Sequence, residues 1–516
     1  MTGVQTCALP ICKIARNDAV RSARHVERTS GHVMGGLDRS ADMVIGGRLI
    51  VHATPDWDTL GIADWTTKKP FAQACQRAFN NWAYDKRNLC DAEGHNDFSG
   101  LMWLAFRNIK GPDGETAGII HYDRDRRAEY ATPWATFVTV LDPDRIQTPP
   151  DKIDDKSLFE GLKLDRHGRM VGFHVRKGHP AEAWVDGNDQ HEFIPRETYW
   201  GRAMGWHWFF KRRGGQQRGL TSLVTMLRRT TMLDQFDDAQ LGAAVIAAVL
   251  QTYIKTTASA ETMAEQLAPA ADGLSVTDRK LDYYGKAKLR MGGQRIPLLA
   301  PNDDIVMASV ARAIADPTAF RTGILRELGM SVGVAQGQIS NSFADYNYSS
   351  MRADLQEVFR GVHRERRQFT SSTASLIYAA VVEEAIELGA VKLLPGWPPF
   401  QENRAAYTAC EWTGPGMGTI DPLKEANAKK VLLEIKDKSR QQLAAQDGED
   451  YLETFDQIEQ ENAEAEERGF SLDISASPTV ELPDEAESAG TTKKKPGQVS
   501  GDGDGDGVPS EDTAGA

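Results

Sequence analysis

Apolar residues recur along this chain with two periods, and each change of period marks a change of element. In "ARNDAVRSARHVERTSGHVMGGLDRSADMVIGG", Ala23, Val26, Val33, Leu37, Met43 and Val44 recur at near-helical spacing. That spacing predicts two short helices, the second stopped by Gly46 and Gly47. Short β-prone runs follow at "RLIVHA", "AGIIHYD", "WATFVTVLD", "MVGFHVR" and "EAWV", parted by Asp-Gly, Pro-Asp and His-Gly turn signals. Between them, "KPFAQACQRAFNNWAYD" and "DFSGLMWLAFRNIKG" carry apolar residues three and four apart and predict helices. Residues 45–215 therefore read as an α+β domain.

The pattern changes at Gly219. Leu220 to Ile254 predicts one long helix with Leu223, Leu227, Leu241 and Val245 along one side and an acidic cluster at Asp234, Asp237 and Asp238. "KAKLRM" and "RIPLLA" predict two strands of a small α/β excursion. "DPTAFRTGILRELG" then predicts a helix with Asp316 as N-cap, Pro317 in its first turn and Gly329 as its stop. Residues 330–348, "MSVGVAQGQISNSFADYNY", have no apolar period and predict a loop. From Ser349, with Ser349 or Ser350 as cap, Met351, Leu355, Val358 and Val362 begin a helical stripe that runs to about Leu388. A loop of this length clamped between two strong helices is usually functional.

Composition narrows the chemistry. A chain of 516 residues, 41% hydrophobic, is long enough for two or three domains. Its net charge of −13 argues against a tight grip on phosphates, though not against an acidic surface that DNA slides past. No apolar run has the length of a membrane span and no basic region leads into an apolar signal core, so a soluble intracellular chain is expected. The five cysteines form no C-x-x-C pair and are expected to be reduced thiols.

Candidate catalytic and metal motifs lack their context. "GMSVG" places Ser331 in G-x-S-x-G, but a helix is predicted before it and a loop after it, the reverse of a nucleophile elbow. No P-loop is present, so energy coupling would need another protein. His174, His179 and His207 have no carboxylate or cysteine at metal-ligand spacing. "DGDGDGVPSEDT" sets Asp502, Asp504 and Asp506 as in a calcium loop, but Thr513 stands where the bidentate glutamate belongs, and a solvated acidic tail is the expectation. "MTGVQTCALPIC" has neither period; from Thr2 to Ile11 it reads as a translated sequencing adapter joined to a truncated frame, the alternative being a natural disordered leader.

"RGLTSLVTMLRRTTMLDQFDDAQLGAA", "LRELGMSVGVAQGQISNSFADYNYSSMRADLQE" and "WTGPGMGTIDPLKEANA", in that order, resemble the portal proteins of lambda-like tailed phages. The resemblance covers residues 13–470 and is most specific in "NYSSMRA" and "DPLKEANA"; the leader departs from it. It implies a non-enzymatic α+β subunit without cofactor or metal, of a ring of about twelve copies, through whose axial hole double-stranded DNA is packaged and ejected. The implied divisions follow the chain: residues 13–215 for N-terminal helices and wing, 216–255 for a descending stem helix, 256–305 for the clip and 306–329 for the ascending stem helix. Residues 330–348 would be the tunnel loop, 349–420 the long wing helix and C-terminal wing, 421–470 the helical crown and 471–516 a disordered acidic tail, with 1–12 the adapter-derived leader. The implied partners are the terminase large subunit, capsid and scaffold or protease proteins and head-completion adaptors, with no membrane. The implied location is the capsid vertex of the virion, and the host cytoplasm during assembly.

A loop along moving DNA should be polar and without strong cationic grip, and "SVGVAQGQISNSFADYNY" has no Lys or Arg. Gln336, Gln338, Asn341, Tyr346, Asn347 and Tyr348 are the candidate channel residues, making weak interchangeable backbone contacts. Tyr346 and Tyr348 could equally pack the loop against the wing. On the clip strands, Arg290 and Arg295 are the candidates for motor docking. Two other classes remain in view: a ring-forming scaffold that conducts no DNA, and a serine hydrolase built on Ser331.

Overall fold

A computed structural model describes residues 13–180, 190–250, 290–291, 294–295, 317–343, 347–418 and 421–469. The described residues up to Thr454 form one compact unit and those from Phe455 a second. Helices α1 (Lys13–Thr29) and α2 (Gly31–Val44) lead into strand β1 (Ile50–Ala53), the turn α3 (Trp57–Leu60) and helices α4 (Trp65–Ala83) and α5 (Phe98–Lys110). Next come β2 (Thr116–Tyr122), α6 (Asp125–Glu129), β3 (Thr136–Leu141), β4 (Leu158–Phe159), β5 (Leu162–Leu164), β6 (Met170–Arg176), β7 (His191–Pro195) and β8 (Gly205–Trp208). Helix α7 (Leu227–Leu250) precedes the two-residue strands β9 (Arg290–Met291) and β10 (Gln294–Arg295), then α8 (Pro317–Val332), α9 (Gln336–Ser340), α10 (Tyr348–Ser372) and α11 (Ala374–Glu387). Turn α12 (Arg404–Tyr407), strand β11 (Cys410–Thr413) and helices α13 (Pro422–Glu434), α14 (Arg440–Asp447) and α15 (Tyr451–Glu467) complete the described chain. The sheets run β3-β2-β8 and β4-β5-β6-β7, with β1-β11 and β9-β10 as separate pairs. Every ladder between these strands is antiparallel, which makes the class α+β.

The main core joins segments far apart in sequence. β1 pairs with β11 from Ile50↔Thr413 to Ala53↔Cys410. Phe79 of α4 meets Phe98 of α5 edge-on at 5.0 Å and Tyr378 of α11 at 5.4 Å, and all three are buried. Such edge contacts add to the burial of large rings. A second cluster gathers Val26, Leu37, Leu223, Leu233, Leu328 and Val332, where α1 and α2 meet α7 and α8.

Buried carboxylates tie the layers together. Glu384 of α11 accepts from the Ala135 and Thr136 amides at 2.6 and 3.0 Å and from Arg127 Nη2 at 2.6 Å, so the helix is bonded to the start of β3. Its neighbour Glu383 pairs with Arg202 at 3.1 Å and Arg404 at 2.9 Å. Glu115, just before β2, accepts from Arg218 Nε at 2.9 Å, Gly219 N at 2.7 Å and Arg16 Nη1 at 3.2 Å, with His207 Nε2 at 3.1 Å. Burial opposes the Glu115 charge, but Arg218 and His207 outweigh it and hold its pKa well below the ordinary carboxylate range.

Four local expectations are corrected. The helix expected from Leu220 begins at Leu227 after a 3-10 turn, Ser222–Thr225, and what lies beyond Leu250 falls outside the described residues. The cause is competition for hydroxyls: Thr221 Oγ1 and Ser222 Oγ donate to the Gly111 and Lys110 carbonyls at 2.8 and 2.6 Å, closing the C-terminal end of α5. Helix α8 runs through Gly329 to Val332 instead of stopping there. The stripe from Ser349 to Leu388 is two helices, broken at Thr373, whose buried hydroxyl donates to the Phe369 carbonyl at 2.7 Å. The N-cap of α10 is Asn347, not Ser349 or Ser350; its side chain accepts from the Ser350 amide at 2.8 Å. The expected leader, the strand at "EAWV", the cap at Asp316 and the acidic tail lie outside the described residues.

Glu384→Ala should lower unfolding stability by about 3 kcal/mol, because it strands two buried amides and Arg127. Glu411→Ala, at the exposed position of β11, is the control; equal urea midpoints for the two variants would contradict the assignment. Burial also lowers the pKa of His52, His121, His174, His207 and His363. Below about pH 6.5 the unfolded chain then binds protons that the folded chain refuses, so stability should fall as pH drops from about 7.5 to about 5. Asp113, pushed up by burial to about 6, acts in the opposite sense below that pH. A urea midpoint that rose on acidification over this range would refute the balance.

Candidate nucleic-acid interface

The segment expected to be a structureless loop is partly folded. Helix α8 ends at Val332, Gly333 turns the chain at φ +86°, and α9 makes one helical turn ending at Asn341, itself left-handed at φ +52°. The physical reason lies in three apolar residues too sparse to form a period: Val332, Val334 and Ile339 are all buried in the second core cluster. The loop expectation for residues 330–348 is thus corrected at 330–332 and 336–340.

Helix α2 supplies the seat. Gly36 leaves room for Val332 and Ile339, which would lie 3.5 and 3.6 Å from a Cβ there. Ser40 Oγ donates to the Val332 carbonyl at 2.9 Å, and Arg39 donates through Nη1 to the Gln338 carbonyl and through Nη2 to Asn341 Oδ1 at 3.4 Å. Gln338 Nε2 reaches the Met43 sulfur at 3.4 Å. Gly36, Arg39, Ser40 and Met43 are three, four and seven residues apart, so one face of α2 holds the segment. Sequence reasoning named only Met43 among these residues, as part of the apolar stripe, and missed Gly36, Arg39 and Ser40, whose shared helical spacing was the available signal.

The candidates differ accordingly. Gln338 is half-buried, its Oε1 accepting from the Ala335 amide at 2.9 Å, and Gln336 is half-buried with Nε2 3.4 Å from Ser340 Oγ. Asn341 is exposed, and Asn347 is exposed as the cap of α10. Tyr348 opens α10, and Tyr346 lies outside the described residues. Arg290 and Arg295 are paired directly across the β9-β10 ladder. The rest of the expected clip lies outside the described residues.

The flanking helices α7 and α8 run antiparallel. Arg229 pairs with Glu327, Arg321 pairs with Asp237 at 3.2 Å, and Phe236 meets Phe320 at 5.0 Å, so positions advancing along one helix recede along the other. Asp234, in the expected acidic cluster, has its pKa raised by burial and by Asp237 and Asp238.

The alternative chemistry does not assemble. Ser331 sits inside α8 with its hydroxyl donating to the Leu328 carbonyl at 2.8 Å, so a helix, not a strand, leads directly into it. His207 does have a carboxylate partner, Glu115, invisible to sequence spacing. His179 lies 3.4 Å from Asp142, with Asp144 close by, also against the expectation of no carboxylate partner. Arg24 supplies the positive charge among them, at 2.6 Å from Asp144 and 2.7 Å from Asp113. Cys75 and Cys90 are buried free thiols pushed up by burial to about 12. Cys7 and Cys12 lie outside the described residues.

Residues 11–366 match the family model described as phage portal protein, lambda family. The portal protein of Escherichia phage N15 is 26% identical over 462 residues, covering 86% of this chain and 83% of that protein. Portal protein B of Escherichia phage lambda is 26% identical over 458 residues, with the same two coverages. A probable portal protein of Halomonas phage phiHAP-1 is 21% identical over 409 residues, 77% of this chain and 72% of that one.

Ile339→Ala should loosen the segment from α2 without unfolding the rest. A cost of about 2 kcal/mol to local closure predicts roughly thirtyfold faster amide exchange over residues 334–341. Exchange in β2 and β3 should not change. Wild-type protection across 334–341 in the variant would show that this residue does not hold the segment.

Proposed function

Because the chain belongs to the lambda family of phage portal proteins, we propose that it assembles into a closed ring of about twelve copies at a capsid vertex, through which double-stranded DNA is packaged and ejected. The observation that carries this reading is the family match over residues 11–366. Portal proteins are structural components of the virion, and the role assigned here is structural rather than enzymatic. The terminase large subunit would supply the energy and dock on the ring. Capsid, scaffold or protease and head-completion proteins would be its other partners.

The divisions of the chain follow from the same reading. Residues 13–215 and 349–420 would build the wing, consistent with their shared core and the β1-β11 pair. Residues 216–255 and 306–329 would be the stem, consistent with the antiparallel pairing of α7 and α8. Leu241 and Val245 of α7 are 66% and 54% exposed, apolar surface that a neighbouring copy would cover. Residues 256–305 would form the clip, with Arg290 and Arg295 for motor docking, and 421–470 the crown. In the tunnel segment 330–348, Asn341 and Asn347 are the exposed candidates for DNA, with Tyr346 and Tyr348 beside them. Gln336 and Gln338 would serve more by holding the turn.

Microscopy of the purified protein tests the assembly: rings with an axial hole are expected, and a monomer at high concentration would remove the reading. Ser342→Lys, exposed beside Asn341, would add about one charge per copy around the DNA and slow packaging in vitro, with relief at raised salt. Wild-type packaging rates in intact variant rings would place this segment away from DNA. Arg290→Glu with Arg295→Glu should weaken motor binding while sparing ring formation. Motor binding unchanged at low and high salt would refute the docking role.

A further inference from the structure

Between the wing strands and α7 the chain passes through "KRRGGQQRG", residues 211–219, a dense run of positive charge in a chain of net charge −13. This segment walls a pocket of about 340 Å³, lined also by Arg16, Phe159 and Glu160. We propose that this pocket binds a phosphate-class oxyanion, either a DNA backbone phosphate or free phosphate or pyrophosphate. The proposal goes beyond the portal reading and stands without it.

The first argument is charge left over after pairing. Arg218 is spent on Glu115 and on the Glu160 carbonyl at 2.7 Å. Arg16 reaches Glu115 at 3.2 Å and Glu160 at 3.3 Å, yet its Nε is buried with no hydrogen-bond partner. Arg212 and Arg213 line the same pocket, are exposed, and have no ion-pair partner among the described residues. Four arginines therefore face two carboxylates, Glu115 and Glu160, while burial lowers the pKa of His207 behind them and favours its neutral form. Unpaired cations held close together repel one another, and an anion between them relieves that repulsion.

The second argument is preorganisation. Gln216 closes the turn from both sides: its Oε1 accepts from the Arg212 amide at 3.0 Å and its Nε2 donates to the Arg218 carbonyl at 2.9 Å. Gly215, at φ +76°, lets the chain bend back without a side chain in the way, and a Cβ at Gly214 would meet nothing within 4 Å. A backbone this open permits close approach of a ligand.

The pocket-lining cations are all arginines, whose planar forks bind phosphate and carboxylate oxygens alike in bidentate fashion, so size decides between a phosphate and a carboxylate-bearing protein segment. The volume suits a phosphate or pyrophosphate group, whereas an acidic α-helix is about 10 Å across with its side chains.

The experiment is calorimetric titration of the full chain at fixed ionic strength with sodium pyrophosphate, a short random-sequence DNA duplex and a poly-glutamate peptide. Saturable binding of pyrophosphate, the duplex or both is expected. Arg212→Gln with Arg213→Gln should weaken it at least about tenfold, since a charge-assisted hydrogen bond is lost at each position. Both side chains are exposed and make no hydrogen bond or ion pair among the described residues, and circular dichroism checks that the variant is folded. Arg360→Gln with Lys430→Gln, on the exposed faces of α10 and α13, should bind as wild type. Binding of pyrophosphate as well as duplex identifies a free-phosphate site, and binding of duplex alone identifies the DNA backbone as the source. Tighter binding of poly-glutamate, no saturable binding, or equal loss in both double variants would overturn the proposal.

Discussion

A carboxylate sealed from water must be answered by cations and donors on every side, and Glu115 is answered by four groups from three segments at once. Arg16 comes from α1, His207 from β8, and Arg218 with the Gly219 amide from the passage into α7. Arg218 in turn donates to carbonyls at Pro143, Ile146 and Glu160. Removing either partner of such a buried pair costs far more than the pair contributes, since the survivor's charge stays desolvated. The constraint is therefore positional: wherever the three-stranded sheet sits, the exit of the chain toward α7 must sit beside it. Thr221 and Ser222 complete the joint by closing the carbonyl end of α5.

Arg366 plays a related part from the other half of the chain, without a carboxylate partner among the described residues. It is buried, its pKa drawn down by burial to about 10, and it donates to the Met43, Val44 and Pro415 carbonyls at 2.7–2.8 Å. Two of those are among the last carbonyls of α2, which have no partner inside their own helix. A cation at that end also meets the negative pole of the helix dipole. Helix α2 is thus fixed at its C-terminus by α10, while its Gly36, Arg39 and Ser40 face holds the segment between α8 and α10. One helix so sets both ends of the chain that runs through residues 332–348.

What was legible in the sequence is what repeats within a window. The two-residue period located β2, β3 and β6, and the helical period located α4 and α5, because each element's apolar residues are its own. The β1-β11 pair was not legible, since neither strand says that the other lies at the far end of the chain. The break at Thr373 was hidden because the apolar stripe continues through it; the backbone leaves the helical region at this one residue, at φ −130° and ψ −73°, with no lost period to show it. Helix α9 was hidden for the converse reason, as one turn with a single buried isoleucine has no period to show. In the candidate site, Asn341 and Asn347 were readable as exposed polar residues, whereas Arg39 was not, because its partner is a distant backbone carbonyl.

The distribution of cations would suit the two proposed surfaces to different work. The described part of 333–347 carries no Lys or Arg, and its neighbour Arg39 is turned inward to a carbonyl. The 211–218 turn instead gathers arginines that the fold does not neutralise. Each phosphate neutralised deepens the well in which a polyanion rests, so a surface rich in free arginine holds and a neutral polar surface lets pass. A subunit that handles DNA in transit needs the second kind along the path, and the first only where an anion is to be kept. Held by Gln216 and anchored through Arg218 to Glu115, the arginine turn is rigid where binding would want rigidity. The polar turn is braced through its apolar underside and by Arg39, Ser40 and Met43 of α2, leaving Asn341 and Ser342 at the surface.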